Sequence, residues 1–358
     1  MPRPIEAVID RQAFRHNLAN LRARAGKRFL WAVSKANSYG HGLASLVPSL
    51  AEADGIAVLD LDEAVCAREA GWQKPLLLIE GFFDRTDLNI VAAYNLEILI
   101  HSQWQIEELR HFRFPAPVKL HLKVNSGMNR LGFQPDEVPE IIACLKNPAF
   151  ILAGLISHFA NAELDYPPDA PCSVAAQLQT YAPLAKWPCC LANSAALLWH
   201  PEAGGNAVRA GIAMYGVSPS NTISSEELGL LPVMTLQSRI LAIQNLPPGQ
   251  AVGYGSRHVT NKNARIGVIA CGYADGYPRQ PNENRSVIVR GKKAPIVGSI
   301  SMDMTTIDLT ELPEAREGDA VELWGRQLPV NEVAALHGTI GYELLANLNE
   351  RVPRRYVG

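Results

Sequence analysis

Lys35 ends an apolar run and is followed at once by Ala36, Asn37, Ser38, Tyr39, Gly40, His41 and Gly42. Lys123 ends another such run and leads into Asn125, Gly127, Met128 and Arg130. His158, then Asn193 with Ser194, then Arg209 with Gly211, follow three further runs. Taken singly these residues have ordinary explanations. A lysine closing a strand usually reaches solvent, a lone histidine is usually a satisfied hydrogen-bond partner, and Ser194 would cap a helix beginning at Ala195. Taken together, two lysines, two arginines, a tyrosine and a serine would bind an anion, provided the fold brings them to one place.

The spacing of the apolar residues supplies such a fold. Short unbroken runs occur at residues 29–35, 55–60, 76–80, 96–101, 118–124, 151–158, 189–193 and 207–215. Runs without alternation suggest strands buried on both faces. Between them lie segments of helical spacing, for example residues 62–70, 103–112, 136–145 and 174–186. Eight strands alternating with helices predict a TIM barrel, an α/β fold whose chemistry sits at the C-terminal ends of its strands. Every residue singled out above falls at such an end. In this fold a phosphate commonly sits between the loops after the last two strands. Here those loops open with Ser194 and with Gly211 and Ile212, a hydroxyl and unencumbered backbone N–H groups. Lys35 lies on the neighbouring strand of a closed barrel. An amine beside a phosphate anchor fits pyridoxal phosphate.

Past residue 227 the pattern changes to strand-like runs without long helices, at residues 233–243, 264–271, 286–289, 294–308 and 320–324. We expect a barrel over residues 9–227 and a mostly β unit over residues 228–358, with a strand within residues 1–8 joining its sheet. Asp10 is expected to cap a helix with Phe14, Leu18 and Leu21 on one face, ended by Gly26.

Composition excludes several classes. A formal net charge of -2 gives no general attraction to nucleic acid or anionic lipid. The apolar runs are far too short to span a bilayer. The opening MPRPIEAVIDRQ lacks the apolar core of a signal peptide, so a cytoplasmic location is expected. The six cysteines form no CxxC pair and read as reduced thiols. His101, His111 and His121 lack a metal-ligand spacing, and no catalytic metal is expected. Residues 272–277 are not flanked as a dinucleotide loop would be. Asp60, Asp62 and Glu63 resemble a carboxylate pair, but Asp62 reads better as a helix cap.

The motifs carry a resemblance. VSKANSYGHG at residues 33–42 closely resembles the cofactor-lysine signature of the alanine racemase family. KVNSGMNRLGF from Lys123, SHF from Ser157, ANSAA from Ala192 and VRAGIAMYG from Val208 follow in the family's order. GYGS from Gly253, GYADGYPR from Gly272, SMDM from Ser301, and TIGYE with RVPR complete the set. The resemblance covers both expected units. Ser38 departs from the usual Gly or Ala of the signature, and Glu350 stands where some members place a tyrosine that reaches the cofactor phosphate.

The resemblance implies interconversion of L- and D-alanine with pyridoxal 5'-phosphate as cofactor, supplying D-alanine for peptidoglycan or degrading it. Lys35 would carry the cofactor and act as the base specific for the D-isomer. Tyr254, from a partner subunit of a homodimer, would act on the L-isomer. Racemisation needs such a pair, since one base returns the proton to the face it came from. A tyrosine titrates near ~10, so cationic neighbours must stabilise its phenolate. Arg209 would face the pyridine nitrogen, buttressed by His158. Tyr39, Ser194, Gly211, Ile212 and Tyr342 would neighbour the phosphate. Arg130 would hold the substrate carboxylate and the cofactor hydroxyl, with the Met302 N–H from the partner. Tyr273 and Asp303 would narrow the access route. A lysine at the place of Lys123 can take up carbon dioxide as a carbamate, which would pair with Arg130. A broad-specificity racemase of the same fold is the alternative. A basic amino-acid decarboxylase matches the motifs less well, and a barrel-only pyridoxal phosphate carrier would lack Tyr254.

Overall fold

The computed structural model describes residues 3–163, 167, 169–279 and 284–358. Strand β1 (Glu6–Asp10) leads directly into helix α1 (Arg11–Ala25). The Asp10 carboxylate accepts from the N–H groups of Gln12 and Ala13, at 2.9 and 3.0 Å, satisfying two orphan donors of the first turn. Phe14, Leu18 and Leu21 are fully buried, and Gly26, at φ 61°, ends the helix.

Eight parallel strands then close on themselves: β2 (Phe29–Val33), β3 (Gly55–Val58), β4 (Leu76–Leu78), β5 (Glu97–Ile100), β6 (Val118–Lys123), β7 (Phe150–Ile156), β8 (Cys189–Cys190) and β9 (Ala207–Ala210). Strand β9 returns to β2 with Trp31 opposite Arg209. Seven of the eight strands fall within the apolar runs, and β7 begins one residue before its run, at Phe150. The first ends two residues before Lys35, so Lys35 opens the following turn. A further helix, Asp87–Ala93, lies between β4 and β5. Asp60, and not Asp62, caps the helix Leu61–Glu69, through a 2.9 Å bond from the Glu63 N–H.

The barrel interior is solid. Trp31 on β2 reaches across to His121 on β6, ring centroids 5.9 Å apart. His121 donates to Glu97 at 2.8 Å, and Lys119 reaches the same carboxylate at 3.0 Å, which satisfies this buried acid from two sides. Room for Trp31 comes from Gly55, where a Cβ would stand 2.4 Å from the indole.

The remaining strands form an antiparallel-dominated unit around β10 (Met234–Leu246). Strands β11 (Ala251–Val252) and β12 (His258–Val259) make a small hairpin that carries Tyr254. They are followed by β13 (Ala264–Ile269), β14 (Ser286–Val289), β15 (Lys292–Pro295), β16 (Thr305–Asp308), β17 (Ala320–Trp324) and β18 (Arg354–Val357). The sheet runs β15-β14-β17-β10-β1-β18, with β13 joining β10 to β16. Strand β1 pairs with β10 antiparallel and with β18 parallel, so both chain ends lie in one sheet. The run at residues 294–308 is two strands, not one. Gly298, at φ 68° and with a would-be Cβ 2.8 Å from the Val252 carbonyl, breaks it and releases the turn bearing Met302. Two short helices, Val330–Leu336 and Gly341–Ala346, also lie here. Among the described residues no helix is long and apolar enough to cross a membrane. The six cysteines are free thiols.

Gly55→Ala should overpack the barrel against Trp31. A loss of about 1–3 kcal/mol is expected, read as a lower urea midpoint; an unchanged midpoint would mean that Trp31 is not held in place.

Candidate active site

The turn after β2 is left-handed. Ala36, Asn37 and Ser38 have φ of 52–54° and ψ of 49–53°, and Tyr39 has φ 49°. Four successive non-glycine residues in this region cost roughly 1–2 kcal/mol each, so the surroundings must hold them. Ser38 N–H bonds the Ser34 carbonyl at 3.0 Å, and Gly40 N–H bonds Ala36 at 2.8 Å. Glu63 accepts from the Asn37 N–H at 2.9 Å and from the Leu59 N–H at 3.0 Å. The buried His41 ring donates from Nδ1 to the Ser38 and Tyr39 carbonyls. Gly40 sits where a Cβ would meet the Leu345 carbonyl at 2.0 Å. Tyr215 packs on Tyr39 and His41 and donates to the Val33 carbonyl at 3.1 Å. The effect is to turn Lys35 and Tyr39 together into the barrel's open end.

A cavity of about 610 Å³ occupies that end. Lys35, Tyr39, Lys123, Arg130, His158, Ser194, Arg209, Gly211 and Ile212 all line it, at the barrel mouth where the strand pattern put them, and Tyr342, named only by the family resemblance, lines it from the helix Gly341–Ala346. Met128, noted after Lys123 in the sequence, lines it too, as do Glu80, Leu131 and Glu163, which were not singled out there. Glu63, set aside there with Asp60 and Asp62, acts instead on the turn beside the cavity. A larger cavity, about 790 Å³, lies between residues 215–234 and 325–335. No lysine, histidine or cysteine lines it, and its Glu227 and Arg326 are bonded to Ser224 and Asp10, so the chemistry gathers in the smaller one.

At one end of the cavity lies an anion cradle. Ser194 is the first residue of the helix Ser194–Trp199, whose cap is Asn193, bonded by the Ala196 N–H at 2.9 Å. The Ser194 hydroxyl is thereby freed from capping and accepts from the Gly211 N–H at 2.8 Å. A Cβ on Gly211 would stand 3.0 Å from the Tyr39 hydroxyl and 3.8 Å from that of Ser194, so the glycine leaves a space edged by hydroxyls. Burial raises the pKa of Tyr39 and Tyr342, leaving both as neutral phenol donors.

Arg209 is buried and held by acceptors with no carboxylate among them. Its Nη1 donates to the Cys190 carbonyl at 2.7 Å and lies 3.2 Å from the Cys190 sulfur. Its Nη2 donates to the Ser157 carbonyl at 2.7 Å and faces His158 Nδ1 at 3.2 Å. Burial, and after it Arg209 and Lys123, push the His158 pKa well below its usual range, so the neutral ring accepts from Arg209. Burial first, then the Arg130 guanidinium, lowers the Lys35 amine. Lys123 is pushed down to about 7 by burial and by Arg209 and Arg130. Four basic side chains thus converge on one partly dry space.

Tyr254, Tyr273, Met302 and Asp303 do not join this cavity. Tyr254 is 72% exposed and Met302 54%, with Tyr273 and Asp303 also at the surface of the β-rich unit. Among the described residues no group of three or more His, Cys, Asp or Glu could hold a metal ion.

Comparison with known proteins places the chain. Residues 9–219 match the family model "Alanine racemase, N-terminal domain", and residues 233–356 match "Alanine racemase, C-terminal domain". An alanine racemase from Erwinia tasmaniensis is 48% identical over 99% of both chains. A catabolic alanine racemase from Klebsiella aerogenes is 46% identical over 99% of both. The crystal structure of the biosynthetic alanine racemase from Pseudomonas aeruginosa superposes with a TM-score of 0.94, at 41% identity, covering 99% of this chain and all of that one. With both halves matched, and identity sustained from end to end, the chain belongs to the alanine racemase family.

Proposed function

We propose that this chain interconverts L- and D-alanine by a two-base mechanism with pyridoxal 5'-phosphate held in the barrel cavity. The observation that carries this reading is the convergence of an amine of lowered pKa, an anion cradle and a buried guanidinium around one space. The donor set fits the cofactor. Tyr39, Ser194, Tyr342 and the backbone at Gly211 and Ile212 suit a phosphate dianion, which also balances part of the local positive charge. Lys35 suits an aldehyde, since a depressed pKa supplies the neutral amine. Arg209 suits the ring nitrogen, because a permanent cation there leaves that nitrogen without a proton.

When bound, pyridoxal phosphate supplies the electron sink that acidifies the α-hydrogen of an attached amino acid. Lys35 holds the cofactor and then takes or returns the α-proton of D-alanine. Tyr254 of a second copy serves the opposite face, for L-alanine. Arg130 holds the substrate carboxylate and the cofactor hydroxyl, helped by the Met302 N–H of that copy, while Tyr273 and Asp303 narrow the access. Exposed Tyr254, Tyr273, Met302 and Met304 on the β-rich unit support a head-to-tail dimer, since apolar side chains gathered at a surface mark an interface. In this reading residues 9–227 supply most of the cavity, Tyr342 of the same chain closes one side of it, and the turns bearing Tyr254, Tyr273 and Met302 supply its cover in trans.

Borohydride treatment of the holoenzyme should fix a pyridoxyl mass on the peptide containing Lys35, and Lys35→Ala should abolish it. Label on Lys123 in place of Lys35 would overturn the assignment. Mixing Lys35→Ala with Tyr254→Phe chains should restore activity, because one of the two sites of a mixed dimer keeps both bases. No recovery after confirmed subunit exchange would refute sites shared between chains.

Lys123 has a further role in this reading. Its amine lies among Arg130, Arg209 and Lys35, and a carbamate there would turn a fourth cation into an anion beside Arg130. With the folded pKa lowered to about 7, the folded chain is neutral at this position above that value. The unfolded chain keeps the proton up to about 10.4. Stability from this group therefore rises with pH across that window, and below it the folded state bears the full cost of a buried cation. A carbon dioxide adduct on Lys123 is expected in bicarbonate above pH ~7 and should vanish in acid. Lys123→Ala should lower turnover, with partial rescue by chloride or a small carboxylate. Normal turnover in Lys123→Ala would remove the role.

A further inference from the structure

Asp275 is a carboxylate that does not line the cavity and has no exposed side-chain surface. Its Oδ1 accepts from Arg3 Nη1 and from Arg351 Nε, both at 2.7 Å. Its Oδ2 accepts from Arg3 Nη2 at 3.1 Å and from the Gly272 N–H at 2.9 Å. The same two arginines continue to Asp303: Arg3 Nη2 reaches its carbonyl at 2.7 Å, and Arg351 Nη2 its carboxylate at 2.6 Å. Two acids and two guanidiniums therefore form one network, in which Asp275 alone is fully dry.

The network joins two turns. Tyr273 N–H bonds the Ser301 carbonyl at 3.1 Å, and Ala274 N–H bonds the Met302 carbonyl at 3.0 Å. Their approach is so close that a Cβ on Gly272 would stand 2.3 Å from both carbonyl oxygens. The turn bearing Tyr273 and the turn bearing Met302 and Asp303 thus move as one block. Arg3 precedes β1 and Arg351 precedes β18, so the block is fastened to the two chain ends where these share a sheet. The arginines are 39% and 37% exposed. Loss of the carboxylate would let them swing into water and release the turns, without opening the core.

We propose that Asp275 is a positioning residue: through Arg3 and Arg351 it fixes Tyr273, Met302 and Asp303 in the arrangement that receives the amino-acid substrate. This rests on the reading that these turns complete the cavity of a second copy. The Asp275 carboxylate touches no substrate. It sets the direction of a backbone N–H and the width of an opening, and so acts on substrate capture more than on proton transfer. A carboxylate clasped by one bidentate arginine and a second guanidinium defines a plane as well as a charge. An amide of the same shape keeps the volume but leaves two cations facing each other without an anion.

The test is kinetic and uses the holoenzyme. Asp275→Asn should raise KM for both alanine isomers about five-fold or more, with kcat within about two-fold. The borohydride label on Lys35 and the dimer mass should stay as in the unmodified chain. Arg351→Lys, at a half-exposed position, should shift KM in the same direction by a smaller factor, and decides the matter if Asp275→Asn does not fold. Mixing Asp275→Asn with Lys35→Ala chains should restore the ordinary KM, since the one active site then takes its turns from the chain with Asp275 intact. Unchanged KM in Arg351→Lys and Asp275→Asn, with only a lower melting temperature, would overturn the proposal. So would a fall in kcat and label at constant KM, or a mixed dimer that keeps the raised KM. If mixing Lys35→Ala with Tyr254→Phe chains restores nothing, it is the composite site that fails; if that mixture recovers and the Asp275→Asn mixture does not, only the role of Asp275 fails.

Discussion

Four cationic side chains, Lys35, Lys123, Arg130 and Arg209, line one partly dry cavity, and this charge has to be tolerated before anything else in the site can work. Isolated buried charges are expensive. The chain meets the cost in three ways. Arg209 directs its guanidinium N–H groups at backbone carbonyls and a neutral imidazole. The two lysines have lowered pKa values and become available as amines. The remaining positive field faces a cradle of hydroxyls that suits an anion. In the proposed reading, a reactive Lys35 and a seat for a phosphate would be two results of one electrostatic arrangement.

The same constraint explains the backbone around Lys35. An amine directed inward from the end of β2 needs the chain to turn sharply behind it. The left-handed turn does this and brings Tyr39 alongside. Such a turn persists only where its surroundings over-determine it. Glu63, His41, Tyr215 and the close approach of Leu345 to Gly40 each remove a way for it to relax. Residues that never touch a ligand thereby decide where the reactive atom lies.

The β-rich unit has a different task. Its long strand β10 ties together β1, β13 and β17, and so gathers both chain ends into one scaffold. From that scaffold project the hairpin with Tyr254 and the paired turns with Tyr273 and Met302. All three side chains are exposed in the single chain. In the proposed reading, Tyr254 of a second copy, held on a separate rigid unit, would stand opposite Lys35, a position that one barrel mouth by itself does not provide.

Much of this was legible in the sequence. Eight apolar runs without alternation announced strands buried on both faces, so the barrel and the polar residues at its strand ends followed from pattern, while Tyr342 came only from the family resemblance and Glu80, Leu131 and Glu163 were not foreseen. Asp10 with its three buried partners in α1 was equally plain, because capping and helical spacing are local. Tertiary structure decided what local pattern leaves open. Whether Asp60 or Asp62 caps a helix depends on one backbone torsion, and whether residues 294–308 make one strand or two depends on how closely Gly298 approaches Val252. Glu63 could be seen in the sequence, but its purpose lies 26 residues away at Asn37. The tie of Arg3 and Arg351 to Asp275 joins residues more than 340 positions apart through a sheet containing both ends of the chain. Sequence determines which groups are present and which side of a strand or helix they occupy. Only the folded chain brings distant charges within reach of one another, because pairing across hundreds of residues is set by sheet topology and not by any local preference.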